Sequence, residues 1–215
     1  MPSPLKEQWD EFDWEQELRK DDARISAYFA ELPRYIDLPA EDEIIYKNIQ
    51  RQKALTPAGG VWPFRQPEDP SRQPPEDAVS EEERRRWDEE WITREGAGPY
   101  IICCRLTRKI STLFSLRTTA GDTAQKLVRI LTLTGRTMAR LTDLIEMEPG
   151  DMPALRIALS KRFIADANEM LGILETITGA GEEGNAIIDV ARIDLFGLRD
   201  AALEIQNNAR NGVSL

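Results

Sequence analysis

From residue 99 onward, apolar residues recur at intervals that alternate between three and four, and this spacing constrains the fold more than any other feature. An α-helix turns once every 3.6 residues, so such a repeat lays one apolar stripe along one side of a rod. Residues 99–116 carry Ile102, Leu106, Ile110, Leu113 and Phe114. Residues 122–147 carry Ala124, Leu127, Leu131, Thr134, Met138, Leu141 and Ile145 at strict 3-4 spacing, with Asp122 and Gln125 as an N-terminal cap. A third run, capped by Asp151, carries Leu155, Leu159, Phe163, Ala167, Met170, Leu174 and Ile177. Residues 184–210 carry Ile188, Ala191, Leu195, Leu198, Ala202 and Ile205. Gly121, Glu148-Pro149-Gly150 and Gly179-Ala180-Gly181 punctuate these runs. Rods of similar length joined by short turns predict an all-α fold, with an up-down antiparallel four-helix bundle over 99–212.

The first 98 residues differ in kind. They hold 24 acids against 14 bases, which is the whole net charge of −10, together with all five tryptophans and ten of the thirteen prolines. The pattern predicts a helix over 4–20, with Leu5, Trp9 and Phe12 on one face and Trp14 and Leu18 on another. Asp22 is the expected cap of a second helix carrying Ile25, Tyr28, Phe29 and Leu32 and stopped by Pro33. A third, entered at Pro39 and closed by Pro57, carries Ile44, Ile45 and Ile49 with its acids first and its bases last, the order the helix dipole favours. Residues 56–80 read as a proline-rich connection, either a flexible arm or a strap; Val61-Trp62-Pro63-Phe64 favours a strap for the first part, residues 66–78 are expected to be mobile, and Pro67 with Pro70 reads as plain polyproline spacing. Ser80 and Glu83 make a capping box for a helix over 81–95, with Trp87 and Trp91 on one face. Gly96-Ala97-Gly98-Pro99 then marks the boundary between an acidic region, 1–98, and a bundle domain, 99–215. An acidic, proline-rich arm would ordinarily be called disordered, but five tryptophans argue for burial against the bundle or a second copy. Trp62, Trp87 and Trp91 are the expected interaction anchors.

Composition removes several chemistries. The chain has no histidine, which excludes Ser-His-Asp and Cys-His nucleophile activation and most transition-metal sites. Its two cysteines, Cys103 and Cys104, are adjacent, a spacing suited to neither a disulfide framework nor a zinc site, and one packed and one half-exposed thiol is expected. Such sparse usage fits a reducing compartment, so a cytoplasmic protein is expected. Residues 1–20 lack the apolar run of a signal peptide, and no segment has the length of a membrane span. The acidic balance argues against nucleic acid and anionic membranes as partners.

The 99–215 half is neutral only in sum. Residues 99–150 carry eight bases and four acids, and residues 151–215 carry six and ten. Lys126, Arg129, Arg136 and Arg140 form a basic stripe, joined by Arg105, Arg108 and Lys109. No aromatic interleaves it as nucleic-acid stacking would require, so the expected reading is a dock for the acidic half or a solvated face.

Two spacings hint at a site. Gly135, Gly172 and Gly197 interrupt helical runs at about 1 kcal/mol each, which implies close helix approach or a pocket near Gly135 and Gly197 with Thr134 beside it. Asp143-x-x-Glu146 and Asp166-x-x-Glu169 place carboxylate pairs on helix faces. This pattern resembles the acidic pairs of all-α nucleoside triphosphate pyrophosphatases, although the first pair departs from their Glu-x-x-Glu and falls opposite the apolar stripe. The resemblance implies a Mg²⁺-dependent hydrolase using Asp143, Glu146, Asp166 and Glu169. The leading expectation is a non-catalytic helical interaction or scaffolding protein, self-associating, with no cofactor and an unspecified protein partner.

Overall fold

The computed structural model describes residues 9–58, 60, 81–116, 121–148, 150–178 and 180–212. Most of these lie in seven α-helices and one short 3-10 turn, and no strand occurs among the described residues. The chain divides into two compact units, Met1–Val79 and Ser80–Leu215. Val61 to Ser80 fall outside the described residues, and with them Trp62, the strap and the Pro67–Pro70 spacing.

The first unit is a long helix packed on a short one. Helix α1, Glu11–Tyr35, is continuous where two helices are expected. Its cap is Asp10, whose carboxylate accepts the Phe12 and Asp13 amides at 2.8 and 2.9 Å while Asp13 reaches back to the Asp10 amide. Asp22 is therefore not a cap; it is buried in mid-helix. Pro33 sits inside the last turn and the helix ends two residues beyond it, because proline leaves the carbonyl four residues back without its amide partner. Helix α2, Glu41–Gln50, and the 3-10 turn Lys53–Leu55 follow. Ile45, Ile49 and Leu55 form a small core against Ala27, Tyr28, Leu32 and Tyr35 of α1. Arg24 fastens the chain there: it donates to the Leu55 carbonyl at 3.1 Å and to Glu17 at 3.1 Å. Burial works to raise the Glu17 pKa, but the Ala58 amide, Arg24 and Lys20 together hold it below the usual carboxylate value.

The second unit begins with α3, Glu81–Thr93, which the charge profile groups with the acidic half but which packs on α4, Ala97–Ser115. Pro99 stands in the first turn of α4, where no intrahelical amide bond is lost. Helices α5, Asp122–Glu146, α6, Pro153–Glu175, and α7, Gly181–Asn211, complete the unit. Helix α4 packs on α5 and α7, and α6 packs on α5 and α7, the α6–α7 contact being the most extensive. All the stripe residues expected on α6 and α7 are buried. Helix α5 is turned slightly from expectation: Leu131 and Met138 are only half-buried, while Ile130, Leu133, Thr137, Arg140 and Leu144 go inside. Phe114, expected on the buried stripe of α4, is exposed.

The caps also differ from expectation. Gly121 and Met152 occupy the positions before α5 and α6, leaving Asp122 in the first turn and Pro153 at the start. One end of the unit is clamped by Arg156, which donates to the Asp151 and Glu148 carbonyls, each at 2.7 Å, and to Glu95. Burial raises the Glu95 pKa even against that guanidinium. Gly96, at φ +95°, brings the α3–α4 turn against α5, where an added Cβ would lie 3.2 Å from both Ile145 and Leu144. Among the described residues no helix is long and apolar enough to cross a membrane.

Candidate functional site

Much of the basic stripe meets acids of its own unit, while Arg108 is exposed. On α5, Arg129 pairs with Glu169 of α6 at 2.6 Å, and Lys126 donates to the Thr176 carbonyl at 3.3 Å and pairs with Asp122. Arg136 donates to Asp166, which also accepts from the Thr137 hydroxyl at 3.3 Å and lies 3.5 Å from Arg140. On α4, Lys109 and Arg105 both reach Asp194 of α7. The excess of bases over 99–150 and of acids over 151–215 thus meet in contacts between helices. Arg136, Arg140, Asp166 and Asp194 are nearly or wholly removed from solvent, whereas Arg105, Arg108, Arg129 and Glu169 are exposed and keep part of the stripe on a solvated face. An ion pair this deep adds little net stability over an apolar pair, because desolvation offsets most of the attraction. What it contributes is register, since a slipped helix would leave charges buried without partners.

The four carboxylates singled out by spacing are not brought together. Asp143 and Glu146 are exposed on α5, whereas Asp166 is enclosed by arginines and Glu169 is held by Arg129. Among the described residues no three metal-ligating side chains are grouped where they could hold an ion. Asp143 and Glu146 stay on the exposed surface of α5, while Arg129, Arg136 and Arg140 take up the α6 pair.

Cys103 is buried and Cys104 half-buried. Burial pushes the Cys103 thiol up to about 12, with Cys104, Asp166 and Asp194 adding to the effect. A thiol so placed is neither a nucleophile nor a ready redox partner near neutral pH.

The glycines mark no tight crossing, and Gly135 and Gly172 are exposed. An added Cβ at Gly135 or Gly172 would meet nothing within 4 Å, and at Gly197 only the Ile102 Cδ1 at 3.6 Å, an ordinary contact. Thr134 is buried, but its hydroxyl is used by the Ile130 carbonyl at 2.8 Å and the Met170 sulfur at 3.3 Å. Of the tryptophans, Trp14 is buried and stands edge-on to Trp9 at 4.7 Å, and Trp91 is half-buried edge-on to Tyr100 at 5.5 Å. The Trp87 side chain, like Trp62, lies outside what the structure describes.

One feature was missed in the sequence. Opposite its buried stripe, α7 presents a second apolar series, with Ile193 68 % exposed, Phe196 50 % and Leu203 43 %. The Arg199 guanidinium lies 5.7 Å over the Phe196 ring. The signal was legible: positions 186, 189, 193, 196, 200, 203 and 207 also alternate by three and four. It was masked because the stronger stripe on the same helix satisfies the period first, and because Asp189 and Asp200 interrupt this one.

Comparison of the chain with protein-family models, with curated proteins and with solved structures finds no match.

Proposed function

We propose that the chain is a non-catalytic helical interaction or scaffolding protein that self-associates. In this reading α4 to α7 form an up-down antiparallel four-helix bundle. Supporting this are the neighbour relations, in which each of the four helices packs on two others, and the short links between them. The observation that carries the function is the outer series on α7. A helix needs one apolar stripe to hold its place in a bundle; a second one, left in solvent, serves something outside the bundle. Ion pairs between helices occupy the charged side chains at the centre of the unit, which suits a rigid platform. Trp62, Trp87 and Trp91 remain the anchors expected for a different protein partner. The proposed setting is the reducing cytoplasm, where Cys103 and Cys104 stay thiols.

Sedimentation velocity on the full chain, from about 1 to 200 µM, tests the reading. The weight-average mass should rise from one chain toward two across that range. A constant single-chain mass throughout would overturn self-association.

A further inference from the structure

We infer that the surface through which two copies meet is the outer face of α7, packed antiparallel on itself about a twofold axis at Phe196. This rests on the self-association proposed above and specifies where it occurs. The argument begins with geometry. At 3.6 residues per turn, Glu182, Asp189, Ile193, Phe196, Asp200, Leu203 and Asn207 fall on one side of the helix, with Arg192 and Arg210 along its margin. That side is opposite the buried series Ile188, Ala191, Leu195, Leu198, Ala202 and Ile205. Ile193, Phe196, Asp200 and Leu203 follow the 3-4-3 spacing of a helix–helix seam. A seam of this type meets its like through knobs and holes.

Charge fixes the occupant and the direction. In a twofold contact, residue i of one copy meets j of the other and j meets i. An antiparallel register centred on Phe196 sets each Arg192 against Asp200 of the second copy. It also sets each Arg210 against Glu182 of the second copy, at the two ends of the seam. Position for position, Asp189 stands level with Leu203 in that register, and Arg192 shares its margin with Arg199 of the second copy, so that Asp189 and Asp200 supply the acids between two guanidinium groups. Asp200, which otherwise spoils an apolar series, becomes the residue that selects the register, the use to which a polar group in a helical seam is suited. Arg192 is held for this by Asp189 on its own helix, at 3.1 Å. The Phe196 ring, already covered by Arg199 on one side, offers its remaining surface at the axis.

The size of the contact sets its strength. From 182 to 210 the seam runs about 42 Å, and a helix about 12 Å wide then covers on the order of 500 Å² per copy. Total burial near 1,000 Å² lies at the weak end of specific interfaces, which points to micromolar association.

The experiment uses the full chain and sedimentation velocity, with far-ultraviolet circular dichroism to confirm that helix content is unchanged. Phe196→Asp should remove the dimer over the whole concentration range. Arg192→Asp should weaken association at least tenfold, and Arg192→Asp combined with Asp200→Arg should restore it, because the reversed pair forms again across the axis. A wild-type dimer that survives Phe196→Asp and ignores the charge reversal would overturn this surface while leaving self-association intact. A wild-type chain that is monomeric at 200 µM would overturn both.

Discussion

Arg140 of α5 lies 3.5 Å from the carboxylate of Asp166 on α6, with the two side chains 5 % and 1 % exposed. This carboxylate also accepts from Arg136 and Thr137, so a single acid ties three positions of α5 to α6. Removing it leaves two guanidinium groups enclosed. Asp166→Ala is therefore expected to cost about 3–5 kcal/mol, the range for breaking a buried pair from one side. The triple change Arg136→Met, Arg140→Leu, Asp166→Leu should recover most of that loss. Urea unfolding followed by circular dichroism measures both, and a midpoint indifferent to Asp166→Ala would contradict the enclosed geometry.

The glycines give predictions of opposite sign. Gly135 and Gly172 face open space within regular helix, so Gly135→Ala and Gly172→Ala should each raise stability by about 0.5–1 kcal/mol through helix propensity. Gly96 has a left-handed backbone and a Cβ there would crowd Leu144 and Ile145. Gly96→Ala should lower stability by about 1–3 kcal/mol. Unfolding midpoints of the three variants, compared side by side, test whether these glycines occupy the environments described.

The vicinal thiols should behave unequally. Cys103 is buried and its thiol is pushed up to about 12. With a chromogenic disulfide reagent at pH 8, no more than one thiol per folded chain should react promptly, and both should react in guanidinium. Rapid reaction of two thiols in the folded chain would mean that Cys103 is accessible.

Tyr28 donates its hydroxyl to Asp42, and that hydrogen bond, with some burial and the nearby charge, pushes its pKa up to about 12. Burial and Asp42 raise Tyr46 as well. A pKa above the unfolded value of about 10 stabilises the fold below pH 10, and that contribution is lost as pH rises through about 12. Absorbance titration near 295 nm should show Tyr28 still protonated at pH 11, and Asp42→Asn should bring its midpoint down toward 10. An unchanged midpoint in that variant would show that the hydrogen bond is not what holds the proton.

The acidic half shows where sequence reasoning stops. Asp22 has the side chain of a cap, and Pro33 has the backbone of a stop, yet α1 runs through both positions. Capping chemistry is available only where a helix begins, and Asp10 with Asp13 had already begun it. Proline blocks a helix most strongly from within, and Pro33 is close enough to the end that only the last turn is affected.

Sequence alone determined the helices of the second unit and the side on which most of them are buried, because a 3.6-residue period read against apolar content is a local property that needs no partner to be legible. It also removed histidine-based chemistry from the outset. Only the tertiary structure decided what the charges do. Arg136 and Asp166 are thirty residues apart, and whether a base on one helix meets an acid on another depends on how each rod is rotated about its axis. That rotation puts Ile130, Leu133 and Phe163 inside, and pairwise spacing along one chain does not encode it. The same rotation turned Asp143 and Glu146 outward, opened the space beside Gly135 and Gly172, and left Ile193, Phe196 and Leu203 of α7 facing solvent.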